Sequence, residues 1–203
     1  MSQETDKKIW YFLINKGLNE YGTAGVMGNF YAESGLKSNN LQNSYEKKLG
    51  YTDETYTAAV DNGTYTDFVY DSAGYGLAQW THWSRKKALL NFAKSEGVSI
   101  GDLNMQLNFF WKELNDNFRS LLNTLKTAKN IAEASNAMLT IYERPADQSE
   151  AAKQRRIKYS QNYYDEYAKK YIVEIGDFYT IEEAEAVKAA LGVLGTESTV
   201  KIK

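Results

Sequence analysis

Glu33 is the residue whose type and position most strongly indicate chemistry. It ends an apolar segment, residues 23–36, in which Val26, Phe30 and Glu33 fall on one face at about 3.6 residues per turn. Gly35 is the expected helix end, so Glu33 would lie in the last turn. There the helix dipole and the apolar neighbours both favour the protonated carboxyl group, which can donate a proton. The alternative is a solvent-exposed glutamate at the end of a helix.

The residue types that are missing narrow the chemistry further. The chain has no cysteine, which excludes a thiol nucleophile, a disulfide and a thiolate metal site. Its single histidine, His82, leaves too few ligands for the usual zinc sites, and no Gly-x-Ser-x-Gly motif accompanies it. We therefore predict no metal and no cofactor, and we assign any acid–base catalysis to carboxyl groups. His82 is interpreted as a surface or helix-start residue.

Composition limits the class of protein and its partners. The 203 residues allow one ordinary domain with a small appendage. A net charge of −2 argues against a nucleic-acid partner, and no apolar run is long enough to span a membrane. The polar start of the chain lacks the apolar core of a signal peptide, so we expect synthesis in the cytoplasm without export by that route. Aromatic residues make up 14% of the chain, which suits contact with sugar faces but also suits an ordinary core.

Hydrophobic periodicity predicts a mainly helical domain that positions Glu33. Helices are expected over residues 5–18, 23–33, 81–95, 102–114, 118–126, 131–142 and 148–170, with a short one at 52–60. The irregular, tyrosine-rich residues 37–73 are interpreted as a binding lobe. Strands at 172–175 and 199–202 are expected to flank a helix at 180–191. The predicted fold class is α+β, with a helical catalytic domain over residues 1–170 and a small βαβ unit over residues 171–203.

Several short motifs, taken in their order along the chain, resemble a known family. Glu33-Ser34-Gly35 ends the apolar helix, and residues 75–81 read Tyr-Gly-Leu-Ala-Gln-Trp-Thr. Further along the chain come Gln106-Leu107, the Tyr-Glu-Arg-Pro segment at 142–145 and residues 156–164. Together these motifs resemble the phage tail lysozyme family, a branch of the lysozyme-like superfamily of peptidoglycan-cleaving enzymes. The resemblance covers roughly residues 5–168.

The resemblance implies a helical lysozyme-like fold that cuts glycan strands between N-acetylmuramic acid and N-acetylglucosamine. Glu33 would be the general acid that protonates the glycosidic oxygen, and Gln79 would hold the sugar across the cleft with the backbone of residues 75–77. The substrate-binding residues implied by position are Tyr75, Gly76, Gln79, Trp80 and Tyr142. The chain departs from the family pattern where His82 and Trp83 stand in place of frequent glycines. This departure would narrow or repurpose one subsite.

Glycoside hydrolysis usually needs a second carboxyl group. A separation of roughly 5 Å between the two predicts retention of configuration, and roughly 6.5 to 9.5 Å predicts inversion. Asp71 is the first candidate because it directly precedes the glycine-bearing segment, and each candidate could instead be an ordinary turn residue. The weaker candidates are Asp67, Asp61 and Glu46. The resemblance also leaves open a mechanism with the glutamate alone, through a loosely held water or through internal attack by the muramic 6-hydroxyl group.

The tail of the chain resembles one half of a SPOR domain, a small glycan-binding repeat of strands and helices. Residues 172–178 resemble its opening segment, and the alanines within residues 184–190 suit its helix. Only one of the family's two repeats is present, so we expect two tails to pair and form a homodimer. The alternative is a tail that packs on its own catalytic domain.

These observations favour a phage endolysin with muramidase activity on bacterial peptidoglycan. The other functions left open are a lytic transglycosylase, a virion tail lysozyme and a wall-binding protein without catalysis. We expect the protein to accumulate in the host cytoplasm and to reach the cell wall once the membrane is breached.

Overall fold

The structure is a computed structural model that describes residues 3–168 and 180–193. The chain divides into two units, residues 1–169 and residues 170–203. The first unit is mainly helical, as the periodicity predicts. Its α-helices are α1 Gln3–Asn15, α2 Glu20–Ser34, α3 Asn43–Leu49, α4 Asp53–Asp61, α5 Trp83–Glu96, α6 Leu103–Asn117, α7 Arg119–Thr127, α8 Ile131–Ala137 and α9 Glu150–Tyr167. A 3-10 turn covers Asp67–Val69, and a π-helix covers Met138–Glu143.

Helix α2 begins earlier than the sequence predicts. Asn19, not Thr23, caps it: the Asn19 side chain accepts a hydrogen bond from the Gly22 N–H at 2.8 Å. The amide group of Asn19 also donates to the Ala128 carbonyl at 2.9 Å, which ties the start of α2 to the end of α7. The helix ends where Gly35 adopts a φ of 62°, as expected. Glu33 therefore lies in the last turn, and Val26 and Phe30 on its face are fully buried.

Helix α2 packs against α1, α7, α8 and α9, so it is the central helix of the first unit. Glycine permits the closest of these contacts. A Cβ atom on Gly28 would stand 2.1 Å from Ser160 Oγ and 2.4 Å from Ser160 N, on α9. A Cβ atom on Gly22 would stand 1.8 Å from the Leu125 carbonyl oxygen, on α7. The backbones of neighbouring helices therefore touch α2 at these positions, and no larger side chain fits.

Two regions differ from the structure that the hydrophobic periodicity predicts. The helix expected over residues 131–142 changes at Met138 into the π-helix, which ends where Arg144 adopts a φ of 48°. The expected binding lobe at residues 37–73 contains α3, α4 and the 3-10 turn. Tyr56 is fully buried there, and its ring packs near those of Tyr51 and Tyr65. Tyr56 belongs to the core, and the partly buried Tyr51 and Tyr65 pack against it.

The second unit contains α10, Ile181–Val193, which agrees with the helix expected at 180–191. Thr180 caps it by accepting a hydrogen bond from the Glu183 N–H at 3.2 Å. The strands predicted at 172–175 and 199–202 lie outside the described residues. Within the ranges 3–168 and 180–193, extended pairing consists of isolated bridges from Tyr75 to Leu41 and to Trp80. No helix in those ranges is both long and apolar enough to cross a membrane.

Candidate functional site

A polar cleft lies at the C-terminal end of α2. Its volume is about 520 Å³. It is lined by Ala32, Glu33, Ser34, Gly35, Lys37, Asn40, Gln42, Asn43, Ser44 and Gln79. Amide, hydroxyl and ammonium groups dominate this lining, and they form hydrogen bonds with ligands that are rich in hydroxyl and amide groups.

Glu33 is held at this cleft by an arginine from a distant part of the chain. Its side chain is 18% exposed, and its Oε1 accepts a hydrogen bond from Arg156 Nη2 at 2.5 Å. Arg156 Nη1 donates to Asn29 Oδ1 at 3.0 Å, and the Asn29 amide donates to the Ser135 carbonyl at 3.1 Å. Glu33 is thus one half of an ion pair, whereas the sequence predicts an isolated acid among apolar neighbours. Within the described part of the chain, its Oε2 accepts no hydrogen bond and remains available to a ligand.

Gln79 lies on the same cleft because a tight turn presents it. Tyr75 and Trp80 exchange backbone hydrogen bonds of 3.2 and 3.0 Å across this turn. Gln79 has a φ of 46°, and its Nε2 donates to Asn40 Oδ1 at 3.0 Å. Ser34, the residue after Glu33, donates its hydroxyl to the Leu77 carbonyl at 2.9 Å. This bond fixes the turn to the end of α2, so Glu33 and Gln79 line one cleft.

Gly76 shapes the turn through its backbone. It has a φ of 77°, and a Cβ atom there would stand 2.6 Å from Gln106 Oε1. Gln106 is fully buried; its Oε1 accepts from the Leu77 N–H at 2.9 Å, and its Nε2 donates to the Ile100 carbonyl at 2.7 Å. Gly76 is needed at this point because only a residue without a side chain allows Gln106 to brace the turn.

The other three predicted substrate-binding side chains are buried in the core. Tyr75 and Trp80 are 0% exposed, and Tyr142 is 2% exposed. The Tyr75 hydroxyl group pairs with Thr57 Oγ1 at 2.6 Å, and its ring packs on Tyr56. These three side chains do not line the cleft, where the sequence predicts substrate-binding residues. The predicted contact of the sugar with the backbone of residues 75–77 stays a prediction. The three side chains support the turn that presents Gln79 from its buried side.

A buried ion pair that the sequence reading missed anchors Trp80 and Tyr142. Glu113 accepts hydrogen bonds from Trp80 Nε1 at 2.9 Å and from the Tyr142 hydroxyl at 2.6 Å. Arg85 donates to both Glu113 oxygens at 2.8 Å. Burial, and next the charge of Glu113, raise the pKa of Tyr142 well above its usual range. Glu113 carries the same signal that drew attention to Glu33, because it stands in an apolar stripe with Phe110.

Asp71 lies in a second buried ion pair, away from the residues that line the cleft. Its carboxylate pairs with Lys86 Nζ at 2.5 Å, and the two side chains are 2% and 0% exposed. It also accepts hydrogen bonds from the hydroxyl groups of Tyr56 and Tyr65 and from the Ala73 N–H. Burial lowers the pKa of Lys86, and the hydrogen bond and charge of Asp71 oppose this effect. Because the carboxylate is buried and already bound by Lys86, two tyrosine hydroxyl groups and a backbone N–H, we do not retain Asp71 as the second catalytic group.

The weaker carboxylate candidate Asp61 is also a structural group. It accepts hydrogen bonds from the Ser99 hydroxyl at 2.5 Å and from the Ile100 N–H at 2.9 Å. His82 is exposed and caps α5, which agrees with its interpretation as a helix-start residue.

The model of the phage tail lysozyme family matches residues 4–167, almost the whole first unit and with it the entire cleft. The chain belongs to the phage tail lysozyme family. It is therefore a lysozyme-type enzyme whose substrate is peptidoglycan. The match does not extend to residues 168–203, and it gives no support to the SPOR-like interpretation of the tail or to the homodimer.

Proposed function

We propose that this lysozyme is a phage endolysin that hydrolyses the bond between N-acetylmuramic acid and N-acetylglucosamine, with Glu33 as the general acid. The observation that carries this proposal is the lining of the cleft. Among the described residues that line it, Glu33 alone has a carboxyl group. Arg156 holds one oxygen of that group, and in the proposed reaction the other oxygen would meet the glycosidic oxygen.

The remaining groups of the cleft fit the proposed reaction. Gln79, Asn40 and Gln42 offer amide groups to the hydroxyl and acetamido groups of the sugar. After it gives up its proton, the Glu33 carboxylate would stabilise the positive charge of the oxocarbenium-like transition state. No second carboxyl group appears in the described lining of the cleft. That observation favours attack by a loosely held water or, as a second candidate, by the muramic 6-hydroxyl group in a lytic transglycosylase.

Glu33→Gln tests the catalytic role. It preserves the shape of the side chain and removes the transferable proton, so release of soluble fragments from purified peptidoglycan should fall by about 10² to 10⁴ fold. Glu96→Gln is the matched control, because Glu96 is exposed at the end of α5 and loses the same charge. A folded Glu33→Gln protein that digests cell walls at the normal rate would refute the assignment.

Mass spectrometry of the fragments tests the bond. New reducing-end muramic acid would support a muramidase, and an anhydro-muramic end would support the transglycosylase. New reducing-end N-acetylglucosamine would instead mean a glucosaminidase and would contradict the proposed specificity. Tight pelleting with cell walls and no fragments would indicate a binding protein without catalysis.

We also propose that the enzyme acts from inside the infected cell once the membrane is breached. Quantitative proteomics of purified virions and of the lysate tests this. Recovery in the lysate alone supports an endolysin, whereas a fixed copy number per virion indicates a tail lysozyme.

A further inference from the structure

Two large aromatic side chains lie side by side on the surface of the first unit. Tyr70 is 69% exposed and Trp83 is 50% exposed, and their ring centroids are 6.4 Å apart with 24° between the ring planes. In the other ring pairs of residues 3–168, apart from the contact of His82 with Trp83, at least one ring is partly or fully buried. Apolar residues scattered singly are ordinary on a surface, whereas an adjacent exposed pair is typical of a binding surface.

Polar groups surround the two rings. The His82 ring lies 5.8 Å from that of Trp83, at an angle of 37°. Thr81 and Ser84, which flank these two residues in the sequence, are exposed hydroxyl residues. Aromatic faces beside hydroxyl and imidazole groups suit a ligand that has both apolar C–H faces and hydroxyl groups. Tyr70, His82 and Trp83 are termed the aromatic platform below.

The platform rests on backbone that is fixed from the buried side. The 3-10 turn ends at Tyr70, whose N–H donates to the Asp67 carbonyl at 2.8 Å. Asp71, the next residue, forms the buried ion pair with Lys86, which lies about one helical turn after Trp83 on α5. The same ion pair therefore fixes the segments that carry both large rings. A ligand that binds there would not have to order these segments, so less of its binding energy would be lost.

Two short segments join the platform to the cleft. Gly74 exchanges hydrogen bonds with Gln42: its N–H donates to Gln42 Oε1 at 3.0 Å, and its carbonyl accepts from the Gln42 N–H at 2.9 Å. Gln42 and Gln79 both line the cleft. Tyr70 is four residues before Gly74, and Trp83 is four residues after Gln79, so each of these pairs of Cα atoms is at most about 14 Å apart. A glycan strand of a few sugars spans such a distance.

We propose that the aromatic platform is a second glycan-binding surface, on which a sugar of the peptidoglycan strand stacks outside the cleft. The occupant follows from the substrate of the enzyme, because the pyranose rings of peptidoglycan present apolar C–H faces. A strand held here keeps its other bonds close to the cleft and raises their effective concentration there. His82 and Trp83, where the chain departs from the family pattern, supply two of the three rings.

Co-sedimentation of the full chain with purified cell walls, at a low temperature where digestion is slow, tests the platform. Trp83→Ala should weaken binding about fivefold to thirtyfold, as truncation of a central aromatic contact does. Trp83→Phe keeps a ring and should recover most of the affinity. Tyr11→Ala is the matched control, because Tyr11 is 58% exposed on α1, and it should bind normally. Normal binding by folded Trp83→Ala, or an equal loss in Tyr11→Ala, would overturn the proposal.

Chitin, a polymer of N-acetylglucosamine without peptides, separates sugar stacking from contact with the peptides of the wall. The unmodified protein should bind chitin particles, and Trp83→Ala should lose affinity for chitin as it does for walls. Absence of chitin binding, or a loss confined to walls, would contradict stacking on sugar. Light scattering tests the remaining occupant: a dimer that Trp83→Ala converts to a monomer would make the patch an interface between two copies and would refute the proposal.

Digestion kinetics on walls distinguish the platform from the cleft. In Trp83→Ala the half-saturating wall concentration should rise while the maximal rate stays near normal, because the platform binds the ground state and the transition state equally. A lower maximal rate with an unchanged half-saturating concentration would make Trp83 part of the reaction site and would refute a separate surface. The binding results do not depend on Glu33, since an active Glu33→Gln enzyme would refute the proposed function and leave the platform standing.

Discussion

Replacing Gly28 by alanine should lower the activity of the enzyme by displacing Glu33, without substituting any residue that lines the cleft. The new Cβ atom would stand 2.1 Å from Ser160 Oγ, 2.4 Å from Ser160 N and 2.7 Å from Ser160 Cα. The hydroxyl group can rotate away, but the backbone atoms of α9 cannot. To reach ordinary contact, α2 and α9 must separate locally by about 1 Å.

This separation acts on the ion pair that holds Glu33. Arg156 and Glu33 lie about one helical turn from the Gly28 contact, on the same two helices. Arg156 bonds Glu33 at 2.5 Å and Asn29 at 3.0 Å, so the wider spacing would stretch both bonds. Overpacking typically costs about 1 to 3 kcal/mol, and a weakened charged hydrogen bond adds about 1 kcal/mol. We expect a melting temperature lower by about 5 to 15 °C.

Calorimetry and peptidoglycan digestion well below the melting temperature measure the two effects. Activity of the folded Gly28→Ala protein should fall by about tenfold, because a displacement near 1 Å misplaces the catalytic acid. Gly97→Ala is the control: Gly97 has a φ of 68° and nothing within 4 Å of an added Cβ atom. It should lose about 1 to 2 kcal/mol from backbone strain and keep its activity. Normal stability and activity in Gly28→Ala would refute the reasoning.

Other predictions concern the buried charges. Lys86→Met should destabilise the protein by about 3 to 5 kcal/mol in denaturant titration, because it leaves Asp71 buried without a cation. Asp71→Asn should retain the normal digestion rate at permissive temperature; a loss comparable to that of Glu33→Gln would restore Asp71 as a catalytic candidate. Tyr142→Phe should cost about 1 to 3 kcal/mol in a thermal melt, since it removes the 2.6 Å bond to Glu113. Stability should also depend on pH through Glu143: burial raises its folded pKa, so its contribution is fully present below the unfolded pKa and is lost as pH rises through the folded pKa. Each unit of that shift corresponds to about 1.4 kcal/mol, and urea titrations of Glu143→Gln across this range should lack the slope.

Local patterns predicted the parts of the site that lie close together in sequence. The face shared by Val26, Phe30 and Glu33 follows from helical periodicity, and the turn that presents Gln79 follows from its glycine. Helix boundaries were less well predicted. Asn19, and not the predicted Thr23, caps α2. The side-chain amide of Asn19 also donates a hydrogen bond to the carbonyl of Ala128, which is distant in sequence. A local sequence pattern cannot predict a contact between residues so far apart in the chain.

Aromatic residues show the same limit. Their number suits both sugar contact and an ordinary core, and the resemblance implied substrate binding for Tyr75, Trp80 and Tyr142, whose side chains are core residues in the structure. An aromatic ring suits a sugar face and a packed interior equally well, so its type cannot distinguish the two. Only the neighbours that tertiary packing brings together decide which surface is covered.

The sequence by itself determined the chemistry available to this enzyme. The absence of cysteine and the single histidine leave carboxyl groups as the acids and bases, and periodicity places Glu33 at the end of a buried helix. Tertiary structure alone decided which carboxyl groups are compensated. Asp71 has a buried lysine, Glu33 has Arg156, and Glu143 has neither a cation of its own nor a hydrogen-bond donor among the described residues. The physical reason is that the state of a carboxyl group depends on burial and on charges a few ångströms away, and these charges come from helices far apart in the sequence.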